Sequence, residues 1–224
     1  MKAAVKLLVS NLIQPVVLGL IVFVVAGTVD YWQAWLLVAV FLASVWTSNI
    51  YLLRAHPDAL QRRMSGGPGA ETRPVQKAVM GGLWLSLLTM LVISALDHRF
   101  GWTHVPPAVS LIGNILLAVG LMAPMLVLIQ NNYAASTVRV ETGQTLASSG
   151  LYGVVRHPMY TGNVIMMAGI PLALGSYWGL LLVIPGVTVL AMRIRDEENL
   201  LSKELDGYLE YTQKVRYRLV PGMW

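Results

Sequence analysis

The sequence predicts an all-α, polytopic membrane bundle of about six transmembrane helices. Three observations carry that prediction. Hydrophobic residues make up 56% of the 224 residues and charged residues only 12%, where a soluble domain carries about 25% charged residues. Six apolar stretches contain no Asp, Glu, Lys or Arg. The basic residues between them fall almost entirely on alternate connections. A soluble protein would need polar surface that this chain does not possess.

A spanning helix needs roughly 20 mostly apolar residues. The first candidate, residues 7–26, follows Lys2 and Lys6 and so resembles a secretory signal. It is longer than a signal's apolar region, and no small-residue cleavage site precedes Asp30, so a retained helix is expected. Residues 32–53, 79–96 and 105–129 give the next three spans. Residues 159–174 and 178–192 are shorter, roughly 25 Å each at 1.5 Å per residue. A tight turn at Gly175-Ser176 makes these two a helical hairpin. Pro15, Pro124, Pro171 and Pro185 fall inside the spans, where neighbouring groups can satisfy the freed carbonyls.

The charge pattern sets the expected orientation. Of the 16 Lys and Arg residues, two precede the first span and five, Arg54 to Lys77, lie between the second and third. Arg139 and Arg156 lie between the fourth and fifth, and six follow the last. Arg99 alone falls on the other side. The positive-inside rule then places both termini in the cytoplasm. It also accounts for the net charge of +5 without nucleic acid. Trp32, Trp35, Trp102 and Trp178 are expected at the outer interface. With no cysteine, disulfides, Cys-ligated metal and thiol nucleophiles are excluded, and no metal site is expected.

One integral membrane domain is expected over residues 1–224. Residues 1–130 form its four-helix N-terminal part, and 131–224 carry the chemistry. The run from Ser65 to Gly69 lacks the ending and strand context of a phosphate loop, and reads as a linker. Glu141-Thr142-Gly143 reads as a turn between short extended pieces. Pro158 suits the first turn of the fifth span. Residues 193–212 read as one helix leaving the membrane, with Leu200, Leu201, Leu205, Tyr208 and Leu209 at helical spacing. The hairpin returns the chain to the face it left, so His157 and Glu197 become neighbours despite forty intervening residues. An imidazole, carboxylates, an arginine and tyrosines should therefore converge at the cytoplasmic face. Taken singly, each has an ordinary explanation. Arg156 can be an anchor, Tyr152 and Tyr160 belt aromatics, and Asp196-Glu197-Glu198 a solvated run.

Taken together, these residues resemble a known family. Arg156-His157-Pro158-Met159-Tyr160 with Gly162, followed by Arg195-Asp196-Glu197-Glu198 and Leu201, is similar to the signature of isoprenylcysteine carboxyl methyltransferases. Gly150-Leu151-Tyr152, Tyr208 and Tyr211 fit the same pattern. Phospholipid N-methyltransferases share a related arrangement. The resemblance covers residues 145–221. It is weaker over the second to fourth spans, although His56-Pro57 fits bacterial members.

The resemblance implies a helical membrane fold and methyl transfer from S-adenosyl-L-methionine to a lipophilic acceptor at the cytoplasmic face. It implies cofactor contacts from Thr145, Leu146, Gly150, Tyr152, His157, Pro158, Tyr160, Glu197 and Glu198. Arg156 and Arg193 or Arg195 would lie at the acceptor as catalytic residues, and Gly162 and Asn163 would bind substrate. The namesake acceptor is an isoprenylcysteine carboxylate. A phospholipid amine or small thiol would use the same chemistry. Partners would be membrane lipids and a lipophilic or prenylated substrate, and the location a bacterial inner membrane. Sterol reductases, which bind NADPH, also resemble this C-terminal region and give a second reading. A transporter is a third, but charged residues within spans and internal repeats, which transporters usually show, are lacking.

Overall fold

The computed structural model describes residues 2–65, 71, 73–131 and 143–224. The glycine run 66–69 and most of the turn expected at 141–143 lie outside these residues. Eight α-helices make up the described chain: α1 (Lys2–Ala26), α2 (Trp32–Ala55), α3 (Pro57–Ser65), α4 (Pro74–Phe100), α5 (Pro107–Gln130), α6 (Pro158–Ala173), α7 (Val183–Glu204) and α8 (Tyr208–Lys214). Short 3-10 turns at Gly150–Gly153 and Trp178–Leu182 precede α6 and α7. No strand forms among the described residues.

Five segments are long and apolar enough to cross a membrane: Val9–Ala26, Trp32–Ala55, Pro74–Phe100, Pro107–Gln130 and Trp178–Glu204. The expected fifth span is α6, with only 16 residues. That is roughly 24 Å at 1.5 Å per residue, short of a hydrocarbon core of about 30 Å. Its two ends nevertheless lie with opposite ends of the bundle.

One end is tied by Asp97, which is fully buried. Its carboxylate accepts from Thr103 N at 2.8 Å, Thr103 Oγ1 at 2.7 Å and Ser176 Oγ at 2.6 Å. Tyr31 Oη donates to Leu174 O. The α1–α2, α4–α5 and α6–α7 connections therefore meet there. Trp32, Trp35, Trp102 and Trp178 are all exposed, and Trp102 and Trp178 touch edge to face with centroids 6.5 Å apart. The opposite end gathers Arg73, Gln76, Gln130, His157 and Asp196 through contacts that join α4, α5, α6 and α7. The chain thus runs six times between two ends, and α6 is its shortest passage.

The close approach of α5 and α6 makes that short passage secure. A Cβ on Gly120 would lie 2.6 Å from Gly162 O, and one on Gly169 2.6 Å from Leu117 N. Gly113 meets the backbone of Leu172 and Ala173, and Gly162 meets Ala123. Helices in lipid associate through such small-residue seams because tail and side chain are equally apolar. Large apolar side chains such as Val24, Leu85, Ile115 and Ile184 point outward, as a lipid-facing surface requires. Buried Val22, Leu37, Met90, Leu117, Leu174 and Leu190 fill the centre.

The helix expected over 193–212 is two helices. α7 stops at Glu204, and α8 begins after Gly207, whose φ of 78° is left-handed. Glycine takes that conformation without a Cβ clash, so the chain turns and folds α8 back. Tyr208, Tyr211 and Val215 then pack with Leu146, Leu201 and Leu205.

The two ends make orientation measurable. The chain contains no cysteine, and His104 and Lys203 are exposed at opposite ends. With basic loops inside, His104→Cys should react with an impermeant maleimide in intact cells, and Lys203→Cys should be protected. The reverse labelling would invert the orientation.

Candidate functional site at the α6–α7 end

The site begins with two local features of the sequence. Pro158 occupies the first turn of α6, where its missing N–H leaves no orphan donor and its φ suits the helix. His157 therefore sits just outside the helix, on backbone fixed from another direction. Arg156 N donates to Tyr217 O and His157 N to Arg218 O, both at 2.9 Å. Thr161 Oγ1 adds a bond to Leu219 O at 2.8 Å. On α7, helical spacing puts Arg193 and Glu197 on one face and Ile194 and Glu198 on the next.

Glu198 is the centre of a buried knot. His157 Nε2 lies 3.2 Å from Glu198 Oε1, and Arg218 Nε donates to Glu198 Oε2 at 2.8 Å. Arg156 Nε is 3.0 Å from Glu198 Oε1. That approach is not aligned as a hydrogen bond, and Arg156 Nε has no hydrogen-bond partner among the described residues. The contact is an ion pair by distance only. The side chains of Arg156 and His157 are almost completely enclosed.

A second chain of contacts runs beside it. Tyr160 Oη donates to Glu197 Oε2 at 2.6 Å and accepts from Arg193 Nε at 2.9 Å. Arg193 Nη1 donates to Glu71 Oε1 at 3.1 Å and Gln76 Oε1 at 2.8 Å. Asp196 takes Arg73 Nη2 at 2.7 Å and Gln76 Nε2. The order is Glu71, Arg193, Tyr160, Glu197, drawn from the connection before α4, from α7 and from α6. His157 stacks on Tyr160, with ring centroids 5.5 Å apart.

The third component is the segment leading to α6. Gly150 has φ 59°, and Gln130 Oε1 lies 2.5 Å from where a Cβ would sit. The same oxygen accepts from Leu151 N at 2.8 Å. Any side chain at this position would displace the amide that holds the segment to α5. Asn131 Nδ2 donates to Tyr152 Oη at 3.1 Å, and Tyr211 Oη to Tyr152 O at 2.7 Å. Burial pushes the Tyr152 phenol up to about 12 despite the Asn131 bond. Burial, with Glu198 and Glu197 nearby, raises the Tyr208 phenol well above its usual range. Both phenols stay protonated near neutrality.

The residues expected at the site do not all converge. His157, Tyr160, Glu197, Glu198, Arg156 and Arg193 meet as described. Pro158 is buried beside them, and Gly150 and Tyr152 support the adjoining wall. Leu146 packs with the α8 tyrosines, while Thr145 is exposed. Arg195 is also exposed. Two positions along a helix are about 200° apart, so Arg195 cannot share the face of Arg193. Gly162 lies in the α5–α6 seam, closed by Ala123, which leaves no room there for an acceptor. Asn163 is half-buried on α6. The sequence reasoning missed Glu71, Gln76, Gln130, Asn131 and Arg218. A lone Glu beside arginines in the α3–α4 connection was the available signal for Glu71.

Three observations bear on S-adenosyl-L-methionine, a ligand with an ammonium, a carboxylate and hydroxyls. Glu197 Oε1 has no partner among the described residues, whereas both oxygens of Glu198 are taken. Tyr208 Oη and Arg156 Nε are buried donors without hydrogen-bond partners among the described residues. Buried polar groups are otherwise almost always satisfied. One open carboxylate oxygen and these two orphan donors, with Arg73 Nη1 a third at the same end of the bundle, fit such a ligand.

Glu198 itself is a structural group on this geometry. Removing it strands buried cations, at a cost of about 3–5 kcal/mol for a broken buried pair. Glu198→Ala should therefore lower the unfolding temperature in detergent far more than Glu197→Ala. Equal small losses in the two variants would contradict the assignment.

Parts of the chain are similar to known proteins. Residues 109–206 match the family model described as phospholipid methyltransferase. A Delta(14)-sterol reductase of Mus musculus is 35% identical over 91 residues, covering 39% of this chain and 22% of that protein. A probable 7-dehydrocholesterol reductase of Acanthamoeba polyphaga mimivirus is 33% identical over 99 residues, covering 41% and 22%. The cobalt-zinc-cadmium resistance protein CzcN of Cupriavidus metallidurans is 26% identical over 142 residues, 60% of each chain. The chain spans less than two thirds of the length of each of these proteins. The stretch from α5 through the His157–Glu198 knot, residues 109–206, matches the phospholipid methyltransferase family.

Proposed function

We propose that the protein transfers a methyl group from S-adenosyl-L-methionine to a lipophilic acceptor at the α6–α7 end of the bundle. The observation that carries this reading is the open Glu197 oxygen near the orphan donors Tyr208 and Arg156, with Glu197 and Arg156 inside the stretch that matches the methyltransferase family. Glu197 Oε1 would accept from the ligand's ammonium. Tyr208 Oη and Arg156 Nε would donate to its carboxylate or hydroxyl oxygens. When bound, the sulfonium supplies an electrophilic methyl group. The chain's own task is to hold both partners in line and exclude water. His157 and Tyr160, stacked and locked by Glu198 and Glu197, form a rigid wall for that purpose.

The acceptor must reach this end from the bilayer, since a hydrocarbon tail gains about 0.8 kcal/mol per buried CH₂. The seam between α5 and α6 is closed along its glycines, so entry belongs elsewhere on the bundle. An isoprenylcysteine-type carboxylate is the acceptor that the sequence signature favours. The description of the family model favours a phospholipid amine, and a small thiol is compatible with the same site.

The two sterol reductases support a second reading, an NADPH-dependent reductase. Calorimetry on the purified protein separates the two. S-adenosylhomocysteine should bind and NADPH should not. Glu197→Gln should weaken S-adenosylhomocysteine by about 1.5–3 kcal/mol, the worth of a charge-assisted hydrogen bond. NADPH binding without S-adenosylhomocysteine binding, or an unchanged affinity in Glu197→Gln, would overturn the reading.

A further inference from the structure

Several cations lie at the α6–α7 end, and most are committed. Arg156 and Arg218 both face Glu198, and Arg73 faces Asp196. Arg195 is exposed on another face of α7. Arg193 is the buried cation coupled through a single phenol to Glu197. On the methyltransferase reading, it is the group that an acceptor carboxylate would seek. That seat already holds a carboxylate. Glu71 Oε1 is 3.1 Å from Arg193 Nη1, and both residues are 3% exposed.

The local charge balance follows from these contacts. Arg193 stands between Glu71 on one side and, through Tyr160, Glu197 on the other. Asp196 is separately neutralised by Arg73. Among the described residues, Glu71 neutralises the Arg193 guanidinium directly, and it does so whether or not Glu197 holds the ligand's ammonium. An acceptor carboxylate brought there would find Arg193 already paired and would meet the like charge of Glu71 in an enclosed place, where such juxtaposition is unfavourable. An uncharged acceptor group would not meet that repulsion.

We propose that Glu71 is a specificity-determining residue that fills the carboxylate seat of Arg193 and excludes anionic acceptors. This rests on the methyltransferase reading. It assigns selectivity to a residue in the connection before α4, outside the stretch that matches the family. Gln76 supports the arrangement by bonding both Arg193 and Asp196, which helps hold the Arg193 guanidinium in place. Discrimination by a buried charge of this kind is a repulsive element, as specificity commonly requires.

The test is a binding measurement with S-adenosylhomocysteine present. Two probes are used, an N-acetyl-S-prenylcysteine carboxylate and its carboxamide. In the unaltered protein the carboxamide should bind at least about tenfold more tightly, a modest outcome for like-charge exclusion. Glu71→Gln keeps an oxygen for Arg193 and removes the charge, and should erase or reverse the preference. Glu71→Asp should keep it. A carboxylate bound as tightly as the carboxamide by the unaltered protein would overturn the proposal. So would a preference that survives Glu71→Gln, or no measurable binding of either probe to protein that binds S-adenosylhomocysteine. Failure of S-adenosylhomocysteine itself to bind would instead overturn the methyltransferase reading.

Discussion

The burial of Glu198 governs the whole α6–α7 end. Its carboxylate is reached by Arg156 and His157 from the start of α6 and by Arg218 from the chain beyond α8. Three segments separated in sequence are thus held to one turn of α7. A carboxylate withdrawn from water is costly unless paired and hydrogen-bonded. Here the pairing is what specifies the arrangement. Once Glu198 is fixed, Glu197 must face Tyr160 and Arg193 must face α4, because both angles follow from the pitch of the helix. The adjoining polar network is positioned by that single choice.

The bundle makes the same bargain at its other end with different chemistry. Asp97 is satisfied by two hydroxyls and a backbone N–H, with no guanidinium among those partners. It clamps the connections through short, directed bonds. Between the two ends lies the glycine seam of α5 and α6, which brings two backbones into contact. A rigid pair anchored at both ends gives the site a fixed frame. That suits a reaction in which two ligands must be aligned.

Much of this was legible in the sequence. The absence of charge from six stretches gave the passages, and the turn at Gly175 returned the chain to the same end. That reasoning put His157 near the acidic run, and the structure brings it to 3.2 Å from Glu198. Helical phase separates Arg193 from Arg195, but the sequence alone did not say which face of α7 was buried. Gln76 was not legible, and for Glu71 the sequence offered only a lone acid among arginines. Their partner Arg193 lies more than a hundred residues away, and no periodicity links a connection to a distant helix face. Gly162 shows a related limit of sequence reasoning. A small residue leaves room only if no neighbour takes it, and Ala123 does.

The central claim is that this end of the bundle binds a sulfonium nucleoside. An experimental structure of the protein saturated with S-adenosylhomocysteine tests it most directly. The account predicts the ligand's amino group at Glu197 Oε1, with Tyr208 Oη and Arg156 Nε on its oxygens. A ligand bound away from these three groups, or none bound at saturation, would contradict it.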